Sequence, residues 1–230
     1  MGSNYRVTYG VDMVFCIDAT GSMQPLLDTV KDNALNLYED FQRIMRDEHR
    51  KYVEQLRVRV IAFRDYRADR EDAMLVTDFF YLPRQQDDLK KCLESITAFG
   101  GGDDPEDGLE ALAYAMKSDW VKEFKKNRHV IAVWTDEGTH EIGYGKAYYD
   151  GYPKGMPKNF EELTKWWGSS NEAGIMDEYA KRLLIFAPGK AHWDAIRDNW
   201  NNVLHYESEA GTGLEDWGYE EILNTICGSI

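Results

Sequence analysis

The sequence predicts an α/β fold: one doubly wound domain with a mostly parallel central sheet, one antiparallel edge strand and helices on both faces. Three observations carry this expectation. Short apolar runs recur at 13–17, 129–135 and 183–187, each stopped by an acid or by Pro188-Gly189, as strands buried on both faces are. Segments with apolar residues at steps of three and four lie between them, so strands and helices alternate from end to end. Only residues 64–72 separate the second strand from the apolar run 73–81, too few for the crossover that a parallel pair requires.

Taken in order, the stretch 13–17 breaks off at Asp18-Ala19-Thr20-Gly21-Ser22-Met23, which puts a polar turn at a strand's carboxyl end. Leu27, Val30, Ala34, Leu37, Phe41 and Ile44 then form one helical stripe with Pro25 in the first turn. That spacing predicts a single helix to about residue 50. Residues 56–63 are the second strand, where Arg57 and Arg59 alternate with Val58 and Val60 and imply one partly exposed face. Residues 86–97 suit a short helix with Leu89, Cys92, Leu93 and Ile96 inward. Gly100-Gly101-Gly102 leads into Asp103-Asp104-Pro105-Glu106-Asp107 and a helix bearing Leu109, Leu112, Ala113 and Met116, with Asp104 as its start signal.

The run 129–135 is the third buried strand, ending at Asp136. Residues 138–158 are rich in Gly and Tyr, hold Pro153 and Pro157, and cannot be regular throughout. Helical pieces are expected at 160–167 and 176–181, a strand at 183–187, a helix at 192–200, a weak strand at 203–206 and a terminal helix at about 217–226. Residues 1–10 are taken as an N-terminal extension, Met1-Gly2-Ser3 resembling a cloning remnant, and 11–230 as one domain without a linker.

Hydrophobic residues make up 43% of the chain and aromatics 13%, enough for a sizeable core. The 41 acids against 27 bases give a net charge of −14, which disfavours nucleic acid or an anionic membrane as partner. The basic cluster Lys125-Lys126-Asn127-Arg128 suits a solvated helix end. Cys16, Cys92 and Cys227 are scattered, form no C-x-x-C pair, and fit a reduced compartment. Without a secretory or membrane-spanning run, a cytoplasmic location is expected.

Asp18, Thr20 and Ser22 offer only oxygen atoms on one turn, and hard donors of that kind suit Mg²⁺, Mn²⁺ or Ca²⁺ rather than zinc. Two other loops near strand ends carry acids, at Asp103-Asp104 and at Asp136. The spacing D-x-T-x-S-M resembles the metal-ion-dependent adhesion site of the von Willebrand factor type A (VWA) family. Residues 100–106 are similar to that family's second metal loop, in a branch where an acid replaces the usual threonine. Thr135-Asp136 resembles the third. Phe63-Arg64-Asp65-Tyr66, Asp136-Glu137-Gly138-Thr139-His140 and Asp150-Gly151-Tyr152-Pro153 are similar to bacterial and alpha-kinase-associated VWA domains.

This resemblance implies a Rossmann-like domain over 11–230 with one divalent ion, Mg²⁺ first and Mn²⁺ or Ca²⁺ as alternatives. Its ligands would be Asp18, Thr20, Ser22, Asp103 and Asp136, some through water. It also implies a non-enzymatic module that binds a protein partner, whose carboxylate could complete the ion's coordination. Asp103, directly after the glycines, is preferred as ligand to Asp104, which can cap a helix instead. A third carboxylate about 4 Å from the ion contributes roughly 4 kcal/mol at an effective dielectric near 20. That should tighten metal binding and weaken the ion's attraction for an incoming carboxylate.

Glu137 and His140 are expected to be hydrogen-bonding loop residues rather than catalytic groups. Tyr144, Tyr148, Tyr149 and Tyr152 form either an aromatic contact surface or a loop packed by its own rings. The competing class is a metal-dependent phosphohydrolase with a strand-end aspartate. Against it, Thr20 stands where a second acid is wanted, two residues after Asp18. Nucleotide binding lacks both G-x-G-x-x-G after the first strand and a Walker lysine.

Overall fold

β1 (Thr8–Asp18) is the axis of the sheet, and its side-chain alternation feeds two separate cores. The computed structural model describes residues 7–100, 105–212, 214 and 217–230. Val11, Met13, Phe15 and Ile17 enter one core; Val14 and Cys16 enter the other. The remaining strands are β2 (Tyr52–Phe63), β3 (Met74–Val76), β4 (Phe80–Leu82), β5 (Lys126–Trp134), β6 (Lys181–Ala187) and β7 (Val203–Glu207). They lie in the order β3-β2-β1-β5-β6-β7, with β4 also on β2. Pairings from β2 through β1, β5 and β6 to β7 are parallel.

The antiparallel edge expected within 73–81 is present, in two pieces. β3 lies opposite Ile61–Phe63 and β4 opposite Leu56–Val58, so both run along one edge of β2. Thr77 separates them by turning its side chain into a backbone partner: its Oγ1 accepts the Val60 N–H at 3.0 Å and donates to Asp78 O at 2.8 Å.

One face of the sheet is covered by α1 (Gln24–Asn33), α2 (Leu37–Asp47), α3 (Gln86–Ser95) and α7 (Tyr219–Ser229). The other carries α4 (Gly108–Met116), α5 (Phe160–Trp167) and α6 (Ala191–Asn199). Phe41 and Ile44 of α2 are buried, each worth about 1.5–3 kcal/mol of removed apolar surface. Trp167 and Trp193 are fully buried on the opposite face. No helix among the described residues is long and apolar enough to cross a membrane.

Several expectations need correction. The single helix over residues 22–50 is two, because bonds tighten around Ala34–Asn36: Ala34 N donates to Lys31 O and Asn36 N to Asn33 O. Asn33 and Asn36 are weak helix formers, and Asn33 Nδ2 competes for Thr29 O at 2.8 Å. The piece 176–181 is a turn running into β6, not a helix. Helix α4 begins at Gly108 rather than at Asp104, since Glu106 is drawn into a parallel bridge with Thr139. Residues 126–128 open β5, with Lys125 in the bend before it, so the basic cluster is not a helix end.

The face of β2 bearing Arg57 is covered as well. Arg57 is buried and forks onto Asp12, through Nε at 2.7 Å and an Nη at 2.6 Å, while Phe79 and Tyr81 flank its guanidinium.

Candidate metal centre

Strand order reverses on either side of β1: the chain goes from β1 to β2, fills the β3/β4 edge, and returns to β5 on β1's other flank. A crevice at the carboxyl ends of β1 and β5 follows from that topology. Ile17 is the register partner of Trp134, which brings Asp18 beside Thr135 and Asp136.

Asp18 is fully buried, and both of its oxygens are engaged. Oδ1 accepts Thr20 N at 2.9 Å and Thr20 Oγ1 at 2.6 Å; Oδ2 accepts Thr135 Oγ1 at 2.7 Å. Burial pushes its pKa up to about 6; the hydroxyls of Thr20 and Thr135 pull it down, and neighbouring Asp136 adds to the rise. Ser22, at the exposed mouth, donates its hydroxyl to Asp136 Oδ1 at 3.0 Å.

The hydroxyl pattern is chemically directed. Thr20 and Ser22 each give their one proton to a carboxylate, so only lone pairs remain for a third group. Two such oxygens flanked by two buried acids make a donor set fitted to a hard divalent cation.

The structure therefore brings together Asp18, Thr20, Ser22 and Asp136. Asp103 and Asp104 lie outside the described residues. The approach to them is fixed by Arg64, whose Nε donates to Ala19 O at 2.9 Å and Phe99 O at 3.1 Å. Its two Nη atoms reach Asp72 O at 2.7 Å and Thr97 O at 2.6 Å. Phe99 N also donates to Ala19 O at 3.1 Å, so the segment before the triple glycine is tied to the turn after β1.

Residues 12–124 match the sequence family described as the von Willebrand factor A domain. The chain belongs to that family. A comparison with curated protein sequences finds no match. Among solved structures, the pilus adhesin SpaC from Lactobacillus rhamnosus GG is similar at a TM-score of 0.53 and 12% identity. That likeness covers 98% of this chain and 31% of the adhesin, so this chain spans about a third of the adhesin's length. Proximal thread matrix protein 1 from the mussel byssus is similar at a TM-score of 0.50 and 11% identity, over 97% of this chain and 49% of that one. At identities this low the likeness shows a shared fold alone.

Sequence reasoning quoted Thr135 and Arg64 within family-like motifs but gave neither a role in this VWA centre. Thr135 orients Asp18 from 117 residues away, and its only sequence signal is its place before a strand-end acid. Arg64, in the Phe63-Arg64-Asp65-Tyr66 stretch, ties four backbone carbonyls around the crevice, which its sequence neighbours do not indicate. Glu137 is ion-paired to Lys190 at 3.0 Å, in keeping with a structural role. Three of the four loop tyrosines are partly buried against other rings: Tyr149 and Tyr152 lie on Tyr66, and Tyr144 stacks on His140 at 4.0 Å between ring centres. Tyr148 alone among them is half exposed.

Proposed function

We propose that this VWA domain is a non-enzymatic protein-interaction module that carries one divalent ion, Mg²⁺ first, with Mn²⁺ or Ca²⁺ as alternatives. Thr20, Ser22 and Asp103 would hold the ion, with Asp18 and Asp136 binding directly or through water. The single observation that carries this reading is the paired hydroxyl-to-carboxylate geometry, Thr20 to Asp18 at 2.6 Å and Ser22 to Asp136 at 3.0 Å. It turns both hydroxyl oxygens into pure acceptors at the mouth of the crevice. The bound ion would supply a positive charge there, able to take an oxygen from a partner. The sequence family and the adhesin among similar folds are in keeping with a binding role.

The residues of this chain do the positioning. Thr135 and Thr20 fix the Asp18 carboxylate, and Arg64 ties residues 97–99 to the turn after β1. A partner's acidic side chain is the ligand class that suits an ion at this mouth. With a net charge of −14, the partner surface around that acid should be basic. Both oxygens of Asp18 accept hydroxyl protons, which argues against Asp18 as the nucleophile of a phosphohydrolase.

Calorimetric titration of chelator-treated protein with Mg²⁺, Mn²⁺ and Ca²⁺ tests the ion. One equivalent should bind to the wild type, and Ser22→Ala should weaken it at least tenfold. Peptides with one central Glu amid Lys should then bind the loaded domain better than their Gln counterparts. No ion bound at millimolar concentration, or metal-dependent phosphoester hydrolysis abolished by Asp18→Asn, would sink this reading.

A further inference from the structure

We propose that the loops beside this centre build a second, buried cation site, in which Asp65, Asp107 and His140 hold a borderline first-row divalent ion such as Zn²⁺ or Mn²⁺. The three side chains come from separate segments: the turn after β2, the residue before α4, and the loop after β5. Each offers a donor atom, and all of these atoms lie within 4.8 Å of one another. Asp65 and Asp107 are fully buried and His140 is 8% exposed.

A second observation points to a ligand there. Asp107 Oδ2 accepts the Tyr66 N–H at 2.6 Å, but its Oδ1 is buried without a hydrogen-bond partner among the described residues. Glu106 Oε2 and Glu110 Oε2, on the same turn of chain, are in the same position. Buried carboxylate oxygens without donors are costly unless a proton or a cation answers them.

The spacing suits an ion. His140 Nε2 stands 4.0 Å from Asp65 Oδ1, and ligands about 2.1 Å from one tetrahedral metal stand about 3.4 Å apart. This pair would draw in by about half an ångström on binding, and the widest separation in the group by up to about 1.4 Å. Donor type sets the metal class: an imidazole with two carboxylates favours zinc or manganese over magnesium or calcium, unlike the oxygen-only set at the strand end.

The supporting shell is already built. Tyr144 stacks on the His140 ring at 4.0 Å. Glu110 Oε1 takes Gly143 N and the Tyr152 hydroxyl, both at 2.8 Å, and so pins the loop over the cluster. Gly145 packs so closely that an added Cβ would meet Tyr66 Cβ at 2.4 Å. An ion here would clamp the turn after β2, the start of α4 and the 138–152 loop into one unit. It does not depend on the strand-end ion.

The test uses the full chain, freed of metal by chelation, carrying Ser22→Ala so that the strand-end site is weakened. We expect one equivalent of Zn²⁺ to bind, with a shift of the His140 ring nitrogens in NMR spectra. Co²⁺ should give visible absorption of the kind produced by nitrogen ligation. His140→Gln should weaken Zn²⁺ binding at least tenfold while leaving Mg²⁺ binding by a chain with intact Ser22 unchanged. Absence of Zn²⁺ binding, or binding that leaves the His140 ring unshifted, overturns the proposal. The ring shift is read in a chain with an intact cluster, so the outcome stands even if His140→Gln fails to fold.

Discussion

Asp18 keeps a carboxylate in the interior by drawing protons from two threonines, one two residues away and the other across the sheet. Removing the distant one is the sharper probe. Thr135→Val leaves Oδ2 of Asp18 without its 2.7 Å donor, so we expect a loss of about 1–3 kcal/mol in urea unfolding and a further rise of the Asp18 pKa. Arg64→Met, by freeing four carbonyls, should raise hydrogen exchange across 97–100 with smaller effects elsewhere. At this scale the sequence was legible where ligands are contiguous. Asp18, Thr20 and Ser22 announce themselves by spacing, and Asp136 by ending a buried strand. Thr135, Arg64 and Asp107 do not, because their roles depend on which segments the topology sets side by side.

Among the elements, period and length located the strands, save that the one edge strand expected within 73–81 is two, while helix limits failed where local bonding competes with the helix. Asn33 and Asn36 divide α1 from α2, and the Glu106–Thr139 bridge delays α4. Nothing in a 3.6-residue pattern reports either event. The end of α5 was legible for a chemical reason: Gly168 follows it with φ at +75°, where only glycine is unstrained. An added Cβ there would also lie 2.3 Å from the nitrogen of Gly174. Gly168→Ala should therefore cost more than about 1 kcal/mol, read as a lower urea midpoint with an unchanged slope.

Across the whole molecule, the acids around the crevice make stability depend on pH. Glu106, Asp107 and Glu110 are raised to about 9, about 8 and about 7, first by burial and then by one another and by Asp18, Asp65 and Asp69. Their ordinary values are 4.5, 3.8 and 4.5, so the folded chain holds more protons than the unfolded one between about pH 4 and pH 9. Stability contributed below that window is lost as pH rises through it. We expect metal-free protein to melt at lower temperature at pH 9 than at pH 5, with a flatter profile in Glu106→Gln. His129, whose pKa burial lowers, acts in the opposite sense and is common to both proteins.

The Asp12–Arg57 fork has a consequence for how the chain finds its fold. β1 and β2 are long parallel strands of mostly apolar residues, and an apolar pattern alone tolerates slippage by two positions. In the native alignment Asp12 faces Arg57, and Val121 N adds a 2.6 Å bond to the same carboxylate. Any slip buries Arg57 without its acid, even one that offers Arg59 to Asp12. The pair thus penalises misaligned sheets more than it strengthens the correct one. Replacing Asp12 alone with Leu should cost about 3–5 kcal/mol, whereas replacing Asp12 and Arg57 together should cost less, about 1–3 kcal/mol, chiefly for the Val121 N–H left without its acceptor. The double variant should instead refold through additional slow phases in stopped-flow fluorescence, as chains that paired out of register come apart and try again.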